Sequence, residues 1–503
     1  MVEGNFIGTN GTGSAALPNT GSGIFAGGGS GNTIGGTIAA AANVISVNGG
    51  GGIEISDDQD LIVGNMVGTN AEGIQPLGNT GDGIDVSGDQ NTISGTVGGA
   101  GNIIAANSGS GGVLDGASDN MIAGNSIGVD STGNGAMGNG SGVEIDDGGT
   151  GNTIGGTTDT ARNFIAASAS DDGYGILISG DSTTGNLVQG NYIGTGDDGI
   201  SQIGNQADGV DIVDSPANTI GGTSAGAGNL FADNGGDGVD LDGATNTLVA
   251  GNLIGTNGEG NGALGNAKVG VVIEDASTGN TIGGTTPGAL NVISGNSGDG
   301  VDIEGSGTSQ NLVAGNDIGT DITGLQPLSN QGNGVSLADQ ASENTIGGNA
   351  HEALNVISAN SLVGVVISGD GTDENLVAGN LIGTDVQGSF PLGNSSGVNI
   401  IDGASDNTIG GDTAGAGNVI SGNSGDGVDI EGSGTSQNLV AGNDIGTNVG
   451  GTADLGNASV GIWIQNGSSG NTIGGTTSGA GNTIALAHPA FRGVIPKCMS
   501  GGV

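Results

Sequence analysis

Short apolar segments separated by turn-forming residues fill almost the whole chain. Each segment holds three to five residues rich in Val and Ile, with Gly, Asn, Asp and Ser on either side. Such segments predict short β-strands, because Val and Ile favour strands and the bounding residues favour turns. No stretch carries an apolar period of 3.6 residues long enough for a helix. The pattern therefore predicts an all-β chain.

The segments recur with a regular period. A hexamer of the form Gly-Asn-x-[Ile/Val]-Gly-[Thr/Val] begins at eight glycines from Gly4 to Gly442, spaced 60 to 66 residues apart. Each period holds two turns of three strands, of the kinds GVDI, NLVAG, NDIGT and GVSL, NTIGG, NVIS. Residues 291–320 and 418–447 are the same thirty-letter sequence. Such repetition predicts one stacked array instead of several globular domains.

Stacking of equivalent strands predicts a right-handed single-stranded parallel β-helix. We expect about 15 coils with three short strands each, and three parallel sheets around a narrow core. The array spans residues 1–484 as eight two-coil units of about 63 residues. Residues 485–503 leave the pattern. They are either a C-terminal cap or sequence foreign to the array, and the second is favoured because no amphipathic capping helix is legible.

Two columns of asparagine support this register. One opens the third strand of every coil, and the other opens the second strand of nearly every coil, where Asn246 and Thr247 compete for one place. An amide carries a donor and an acceptor, so stacked asparagines can bond one another from coil to coil. We predict buried structural ladders, whose members within the duplicated sequence are Asn291, Asn311, Asn316, Asn418, Asn438 and Asn443.

The Asn columns, the G-V-x-I strands and the sequence NLVAGNDIGT resemble the parallel β-helix repeats of the pectin lyase-like superfamily. The resemblance is closest to the glycine-rich repeat arrays of secreted bacterial surface proteins, and it covers about residues 4–484. It implies a right-handed parallel β-helix. It leaves the activity open, because the superfamily includes polysaccharide lyases, hydrolases, epimerases and non-enzymatic adhesins. In its enzymes the active site commonly lies on the outer face of the sheet built by the G-V-x-I strands.

On that sheet, strand alternation points the third residue of G-V-x-I outward. The residues predicted for this outer column are Phe25, Glu54, Asp85, Leu114, Glu144, Leu177, Asp211, Asp240, Val272, Asp302, Ser336, Val366, Asn399, Asp429 and Trp463. Acidic residues occupy adjacent coils twice, as Glu54 with Asp85 and as Asp211 with Asp240.

Paired carboxylates at strand spacing offer two kinds of chemistry. At about 5 Å apart they repel, so one takes up a proton or a cation binds between them. That separation also suits retaining glycoside hydrolysis, which makes Asp211, Asp240, Glu54 and Asp85 the candidate catalytic residues of an enzyme. The candidate ligands for Ca²⁺ are Asp208, Asp211, Asp237 and Asp240. No cofactor is required by the sequence.

Charge narrows the class of partner. The chain has 51 Asp and Glu against four Lys and Arg, a net charge of -47. This argues against nucleic acid and anionic membrane surfaces, and leaves cations, polysaccharides and other cell-surface proteins. No apolar run approaches the roughly 20 residues of a membrane span. No signal peptide is visible, and the chain starts as if cut from a longer array.

Lyase chemistry on acidic sugars is disfavoured. The resemblance implies that it needs cations to hold the uronate and an Arg or Lys base, whereas Arg162 and Lys268 lie about three coils apart in the predicted register. The histidines, His351 and His488, do not form a nucleophilic triad, and His351 is expected to be a loop residue. Trp463 ends the outer column, either as an ordinary surface residue or as a platform for a sugar ring.

We predict a non-enzymatic, extracellular or cell-surface β-solenoid that serves as an adhesin-like or matrix segment, with an acidic surface for Ca²⁺ or glycans. The near-identity of the repeats favours this function, since a catalytic coil should break the pattern locally. The alternative is a carbohydrate-active enzyme: a polysaccharide hydrolase, lyase or epimerase.

Overall fold

The chain folds into the right-handed parallel β-helix that the sequence predicts. The computed structural model describes residues 1–96 and 100–485. The strands form three parallel sheets of 15, 15 and 16 strands, and each strand pairs with its equivalents one coil before and one coil after. In these two ranges the only helices are single 3₁₀ turns at Ala39–Ala41, Asp159–Ala161 and His351–Ala353.

The three sheets contain one strand of each coil in turn. Sheet 1 contains Ile24–Ala26, Ile53–Ile55, Ile84–Val86, Gly112–Asp115, Val143–Asp146, Ile176–Ser179, Val210–Val213, Val239–Asp242, Val271–Glu274, Val301–Ile303, Val335–Leu337, Val363–Ser368, Ser396–Ile401, Val428–Glu431 and Ile462–Gln465. Sheet 2 contains Thr33–Gly35, Leu61–Val63, Thr92–Ser94, Met121–Ala123, Thr153–Gly155, Leu187–Gln189, Thr219–Gly221, Leu248–Ala250, Thr281–Gly283, Leu312–Ala314, Thr345–Gly347, Leu376–Ala378, Thr408–Gly410, Leu439–Ala441 and Thr472–Ile473. Sheet 3 contains Phe6–Ile7, Val44–Ile45, Met66–Val67, Ile103–Ile104, Ser126–Ile127, Phe164–Ile165, Tyr192–Ile193, Leu230–Phe231, Leu253–Ile254, Val292–Ile293, Asp317–Ile318, Val356–Ile357, Leu381–Ile382, Val419–Ile420, Asp444–Ile445 and Thr483–Ile484.

A single apolar column fills the interior. Inward residues of all three sheets form one continuous core of stacked Ile, Val and Leu side chains. Val301 and Ile303, the inward residues expected in the duplicated sequence, are both 0% exposed. Each such side chain stabilises the fold by roughly 1.5–3 kcal/mol through burial. A thin core of short strands therefore suffices, because every coil is covered by the next.

The two predicted asparagine ladders are confirmed. Asn291 donates from Nδ2 to Oδ1 of Asn316 at 2.9 Å, and Asn316 donates in turn to Asn355 at 3.0 Å. The other four predicted members donate equivalent amide hydrogen bonds, in the pairs Asn311–Asn344, Asn418–Asn443, Asn438–Asn471 and Asn443–Asn482. All six predicted members are at most 1% exposed. The ladders thus satisfy polar groups that the closed turns of the coil remove from water.

The structure resolves the ambiguous place in the second ladder in favour of Thr247. The backbone amide of Thr247 donates to Oδ1 of Asn280 at 2.8 Å, as an asparagine there would, and Thr247 is 1% exposed. Its hydroxyl has no hydrogen-bond partner among the described residues. The amide ladder is therefore interrupted in the coil that begins with Val239–Asp242.

A third ladder lies at the turn that leads into sheet 1. Asn296 donates to Asn330 at 3.0 Å, and Asn330 donates to Asn360 at 3.0 Å, with the same bond recurring along the rod. This ladder was not predicted from the sequence, because its asparagines precede the strand by several residues and open no apolar segment. The available signal was the Asn that recurs before the G-V-x-I segments, with Ser168 in its place in one coil.

Glycine ends six of the strands of sheet 2, including Thr281–Gly283, for a steric reason. Gly283 has φ +87°, and a Cβ there would meet the carbonyl oxygen of Ala314 at 2.1 Å. A side chain is excluded by that approach and by the left-handed backbone. The first G of NTIGG-type segments is thus a packing requirement of neighbouring coils.

The predicted off-pattern tail, residues 485–503, lies outside the described residues except for Ala485. Ala485 still donates its amide to Ile445 at 2.9 Å, as the next residue of a sheet 3 rung would. The assignment of the tail as a cap or as foreign sequence stays a prediction. In the described ranges no helix has the length and apolarity needed to cross a membrane.

Candidate functional site on the outer face of sheet 1

The register of sheet 1 defines its outer column. Asp211 pairs with Asp240, which pairs with Val272, which pairs in turn with Asp302. The alternation that predicted these outward positions is therefore confirmed in the central coils. The column is a continuous line along the rod, one residue per coil, with acidic residues in several adjacent or nearly adjacent places.

The predicted outward position of Leu114 is wrong. Leu114 is 0% exposed and pairs with Val86 in the core, while Val113 lies opposite Asp85 in the outer column. The cause is a doubled glycine, because Gly112 takes the inward place that Ile84 holds in the preceding coil. The G-V-x-I pattern was matched one residue too late in this coil.

Asp211 and Asp240, which we name the acidic pair, lie side by side on neighbouring strands. Asp211 is only 6% exposed, and Asp240 is partly buried. Their apolar neighbours in the column are Leu177 on one side and Val272 on the other. The two carboxyl groups thus lie next to each other in the column, between two apolar residues, with backbones about 4.8 Å apart.

Burial raises the pKa values of the two members of the acidic pair by different amounts. Burial, together with the charges of Asp208 and Asp242, raises the pKa of Asp211 to about 7, although the nearby Tyr174 hydroxyl acts in the opposite direction. Burial raises the pKa of Asp240 to about 9, with the charge of Asp211 as the next cause. The same surroundings raise the pKa of Tyr174 to about 12, through burial and then the charge of Asp211. One carboxyl group of the pair therefore keeps its proton at neutral pH.

Enclosed oxygens without a partner are concentrated on this face. Among the described residues, the buried side-chain oxygens of sheet 1 that lack a hydrogen-bond partner belong to Asp146, Asp211, Asp240, Asp302 and Asn399. Each unpaired acceptor costs roughly 1–3 kcal/mol relative to a satisfied one. Polar strain of this kind is typical of sites that a ligand or substrate completes.

The four candidate Ca²⁺ ligands divide into two pairs with different roles. Asp208 accepts a hydrogen bond from the backbone amide of Asp237, and Asp237 accepts one from the amide of Val269 at 2.6 Å. Lys268 lies 3.4 Å from the second oxygen of Asp237. Asp208 and Asp237 thus join successive coils at the start of sheet 1, while the acidic pair has no such bonds through its enclosed oxygens.

The same coil-to-coil bond recurs at equivalent positions. Asp82 accepts from Ser110 at 2.8 Å, and Asp426 accepts from Val460 at 2.7 Å. Recurrence at Asp426, where the outer column has no paired carboxyl groups, indicates a structural role for this column of aspartates. In the described part of the chain no group of three or more His, Cys, Asp or Glu is placed to hold a metal ion.

Calcium binding by the four aspartates stays a prediction. We expect millimolar Ca²⁺ to raise the melting temperature of the protein at pH 8, where a cation would offset the repulsion of ionised carboxyl groups. Differential scanning calorimetry with and without Ca²⁺ measures the shift. Asp240→Asn should abolish most of it and the exposed control Asp171→Asn should not. An unchanged melting curve with no heat of binding would contradict the metal site.

The second candidate catalytic pair is less enclosed. Glu54 and Asp85 pair in register, and both are partly exposed. Glu54 accepts a hydrogen bond from the Ser22 hydroxyl. Burial, followed by the charges of Asp82 and Asp115, raises the pKa of Asp85 to about 6. The structure brings both predicted pairs together, and burial distinguishes the acidic pair from this one.

The other residues considered from the sequence lie apart from the acidic pair. Arg162 bonds Asp159 at 2.9 Å, and its guanidinium lies 4.3 Å from the ring centre of Tyr192, on the sheet 3 side. Lys268 lies on the sheet 1 side beside Asp237, so the two cations occupy different faces. Trp463, 43% exposed, ends the outer column opposite Asp429. His351 starts a 3₁₀ turn, and His488 lies outside the described residues.

Tyr174 and the two apolar neighbours of the acidic pair were not identified from the sequence. Tyr174 belongs to a loop that no repeat marker covers, so its approach to Asp211 depends on the course of the chain between coils. Leu177 and Val272 were placed in the outer column, but their effect on the proton affinities follows from packing. The signal available in the sequence was that Tyr174, one of the two Tyr residues of the whole chain, lies beside an acidic column.

No family model matches the sequence, and no curated protein matches it. Among solved structures, a double mutant of the periplasmic alginate epimerase AlgG is 13% identical, with a TM-score of 0.40 over 82% of this chain and 77% of that one. The Dettilon tailspike protein gp208 is 15% identical, with a TM-score of 0.40 over 82% of this chain and 62% of that one. The A-module of the mannuronan C-5 epimerase AlgE4 from Azotobacter vinelandii is 14% identical, with a TM-score of 0.27 over 86% and 90%.

Proposed function

We propose that this chain is an extracellular carbohydrate-active protein in which the acidic pair performs acid–base chemistry on a polysaccharide. The observation that carries the proposal is the pairing of two buried carboxyl groups on neighbouring strands whose pKa values are raised to about 7 and about 9. Neighbouring acids whose proton affinities are pushed apart are the usual basis of a division into acid and base. This choice reverses the order of the functions expected from the repeats alone.

The two pKa values assign the roles. Asp240 remains protonated near neutral pH and would donate its proton to the glycosidic oxygen as the bond breaks. Asp211 ionises near pH 7 and would attack the anomeric carbon, forming a glycosyl ester that water then hydrolyses. Backbones one strand apart leave little room for a water molecule between the carboxyl groups, which favours the retaining mechanism over the inverting one.

The surrounding charge favours neutral sugars as the substrate class. Asp208, Asp242 and Glu274 all act on the proton affinities of the pair, so the local potential is strongly negative. The nearby cation, Lys268, is already paired with Asp237. A uronate would find no free positive partner in this part of the described chain, whereas sugar hydroxyls can donate hydrogen bonds to carboxylates.

Replacement of either member of the acidic pair tests the proposal. We expect release of reducing ends from a panel of neutral glycans by the wild-type chain, and a loss of at least about a hundredfold in kcat for Asp211→Asn and Asp240→Asn. Reducing-end assays and mass spectrometry of trapped glycosyl ester measure the two steps. Pectate and alginate belong in the panel, because turnover of these acidic polymers would contradict the substrate class.

Asp302→Asn is the matched control. Asp302 stands in the same outer column with its pKa raised by burial to about 7, but its neighbours in register are Val272 and Ser336. It has the burial of the pair without the partner acid. Turnover that survives Asp302→Asn and disappears in the pair variants supports the pair. Equal loss in all three variants would point to a general effect on the fold.

The pH dependence of turnover has a defined sign. The reaction needs Asp211 ionised and Asp240 protonated, so kcat/KM should rise with pH through about 7 and fall through about 9. We expect a bell-shaped profile with its maximum near pH 8. Asp85→Asn, at the other pair, should leave both limbs in place. A profile that falls steadily above pH 5 would assign the chemistry to other groups.

A non-enzymatic surface scaffold is the second candidate function. The regular ladders and coil-to-coil bonds favour it, because they continue through the coils of the acidic pair with one interruption at Thr247. Such a rod would bind polysaccharides or other cell-surface proteins along the acidic column without changing them. Retention on insoluble neutral glycan with no product formed, equally in the wild type and the Asp240→Asn variant, would favour this function.

A further inference from the structure

An open cavity of about 370 Å³ lies against the outer side of sheet 3, away from the acidic pair. Leu290, Leu354, Val356 and Val386 supply apolar walls, and His351 and Glu352 also line it. No lysine or arginine is among the described residues that line this cavity. The space is large enough for a small organic molecule with a hydrocarbon part.

Asp317 is the buried carboxyl group in the lining of this cavity, whereas Glu352 is exposed. It opens its sheet 3 strand between Val292 and Val356, and it is only 4% exposed. Its carboxyl group accepts no hydrogen bond from a described residue, whereas Asp321 accepts four through one oxygen, from Thr323, Leu325 and Gln326. Burial, and then the charge of Asp321, raises the pKa of Asp317 to about 7. Because Asp317 accepts no hydrogen bond from a described residue and lines the open cavity, its carboxyl group is available to a donor that enters the cavity.

The duplicated thirty-residue sequence offers an internal comparison. Asp444 is the equivalent of Asp317 in the second copy, with identical neighbours in sequence for more than twenty residues before it. Asp444 is nevertheless partly exposed, and it lies between Val419 and Thr483 in register. The environment of the two aspartates therefore differs through the adjacent coils and through the residues after the duplicated sequence, where Asp321 in the first copy corresponds to Asn448 in the second.

The adjacent coils supply the walls. Leu290, Leu354 and Val356 flank Asp317, and the residues at the matching places around Asp444 are Gly417, Gly481 and Thr483. Two leucines and a valine are thus replaced by two glycines and an exposed threonine. The cavity is a property of the coils around the first copy, and the repeat unit itself does not account for it.

We propose that the Asp317 cavity binds a small organic ammonium ion, with the ammonium group at the carboxylate of Asp317 and the hydrocarbon chain against Leu290, Leu354 and Val386. An ammonium ion carries three donors and no acceptor, so it satisfies a buried carboxylate that lacks donors. The negative charges of Asp321 and Glu352 add favourable potential. A hard metal ion would require several oxygen ligands, and no metal-holding group is found in the described ranges.

Calorimetric titration of the full chain with n-pentylamine at pH 8 tests the proposal. At that pH Asp317 is ionised and the amine, like a lysine side chain, is protonated. We expect a single site in the wild type, affinity at least about tenfold lower in Asp317→Asn, and no measurable binding of the neutral analogue 1-pentanol. Asp444→Asn is the matched control and should bind pentylamine within twofold of the wild type. Leu354→Ala should weaken binding of pentylamine more than that of methylamine.

Several outcomes would overturn the site. These are absence of binding to the wild type, equal affinity in Asp317→Asn, equal affinity for 1-pentanol, or an equal loss in Asp444→Asn. Displacement of pentylamine by millimolar Ca²⁺ would assign the cavity to a metal ion instead. The affinity should also rise between pH 5 and pH 8 as Asp317 ionises, with His351, Asp321 and Glu352 as the other titratable groups nearby. A flat profile over that range would contradict the role of Asp317.

Discussion

Replacing Asn316 by alanine should lower the free energy of unfolding by about 3–5 kcal/mol, because the residue joins three successive coils in the interior. Its Nδ2 donates to Oδ1 of Asn355 at 3.0 Å, to Ile282 at 2.9 Å and to Ala314 at 3.1 Å. Its Oδ1 accepts from Asn291 at 2.9 Å. Alanine removes all of these bonds and leaves the donors and acceptors buried.

Truncation costs more here than at an ordinary hydrogen bond. Asn316 is 1% exposed, so water cannot replace the lost partners without opening the coil. The stranded groups belong to two neighbouring coils, and the loss of one ladder member therefore weakens the stacking on both sides. We expect amide hydrogen exchange to increase first around residues 282–318, before the distant coils respond.

Urea denaturation followed by circular dichroism measures the stability change, and hydrogen exchange locates it. Asn261→Ala is the control, since Asn261 is exposed and bonds only within its own loop, to Asn257 and Glu259. That change should stay within about 0.5 kcal/mol. If Asn316→Ala and Asn261→Ala cost the same, the ladders contribute no more than surface loops.

Asp240→Asn should stabilise the protein at pH 8 by about 5–6 kcal/mol while leaving its stability at pH 4 nearly unchanged. Burial raises the pKa of Asp240 from 3.8 to about 9, so the folded state holds this proton far more tightly than the unfolded chain. Asparagine has the shape of the protonated acid and no charge to lose hydration. The variant therefore removes the ionisation of the unfolded chain, which favours unfolding of the wild type above pH 4.

The sign of the pH dependence follows from the raised pKa. Between pH 4 and pH 9 the unfolded chain has released the proton of Asp240 and the folded chain has not, so unfolding becomes easier by up to about 1.4 kcal/mol with each pH unit. The stabilisation is complete below the unfolded pKa and is lost as the pH rises through the folded pKa. Asp211, Asp302 and Asp317, whose pKa values burial raises to about 7, add to the trend up to pH 7.

Melting temperatures of the wild type and of Asp240→Asn between pH 4 and pH 9 test this expectation in metal-free buffer. The wild type should melt progressively lower as the pH rises, and the variant should show a shallower slope. Asp171→Asn, a change at an exposed aspartate, serves as the control for net charge. Destabilisation of Asp240→Asn at pH 8 would mean that the ionised carboxylate has a favourable partner, as a bound cation would be.

Much of the fold was predictable because every coil repeats the same pattern of apolar and polar positions. Strand alternation placed Val301 and Ile303 inward, and stacking of equivalent asparagines placed Asn291 and Asn316 in a ladder. Both inferences need only the local sequence and the parallel stacking of each strand on its equivalent in the next coil. The prediction was wrong at Leu114, where a coil departs from the common spacing. The ladder at Asn296 was not predicted, because it opens no strand.

The candidate site was only half predictable. Alternation and period were enough to pair Asp211 with Asp240 and to put Asp208 and Asp237 just before the same two strands. Which of these four aspartates accept backbone hydrogen bonds, and which stay unpaired, could not be predicted from the sequence. A carboxyl group accepts from whichever amide the next coil presents, and that geometry depends on the loop between strands.

By itself, the sequence of this protein determines the β-helix, its register and the acidic outer column, because each follows from periodic positions. Only the tertiary structure decided which carboxyl groups are buried and therefore have raised pKa values. Asp317 and Asp444 occupy the same place in identical thirty-residue sequences, yet Asp317 is 4% exposed in a cavity and Asp444 is partly exposed. Hydration of a carboxyl group depends on the side chains packed against it, and in a solenoid those side chains come from the coils above and below.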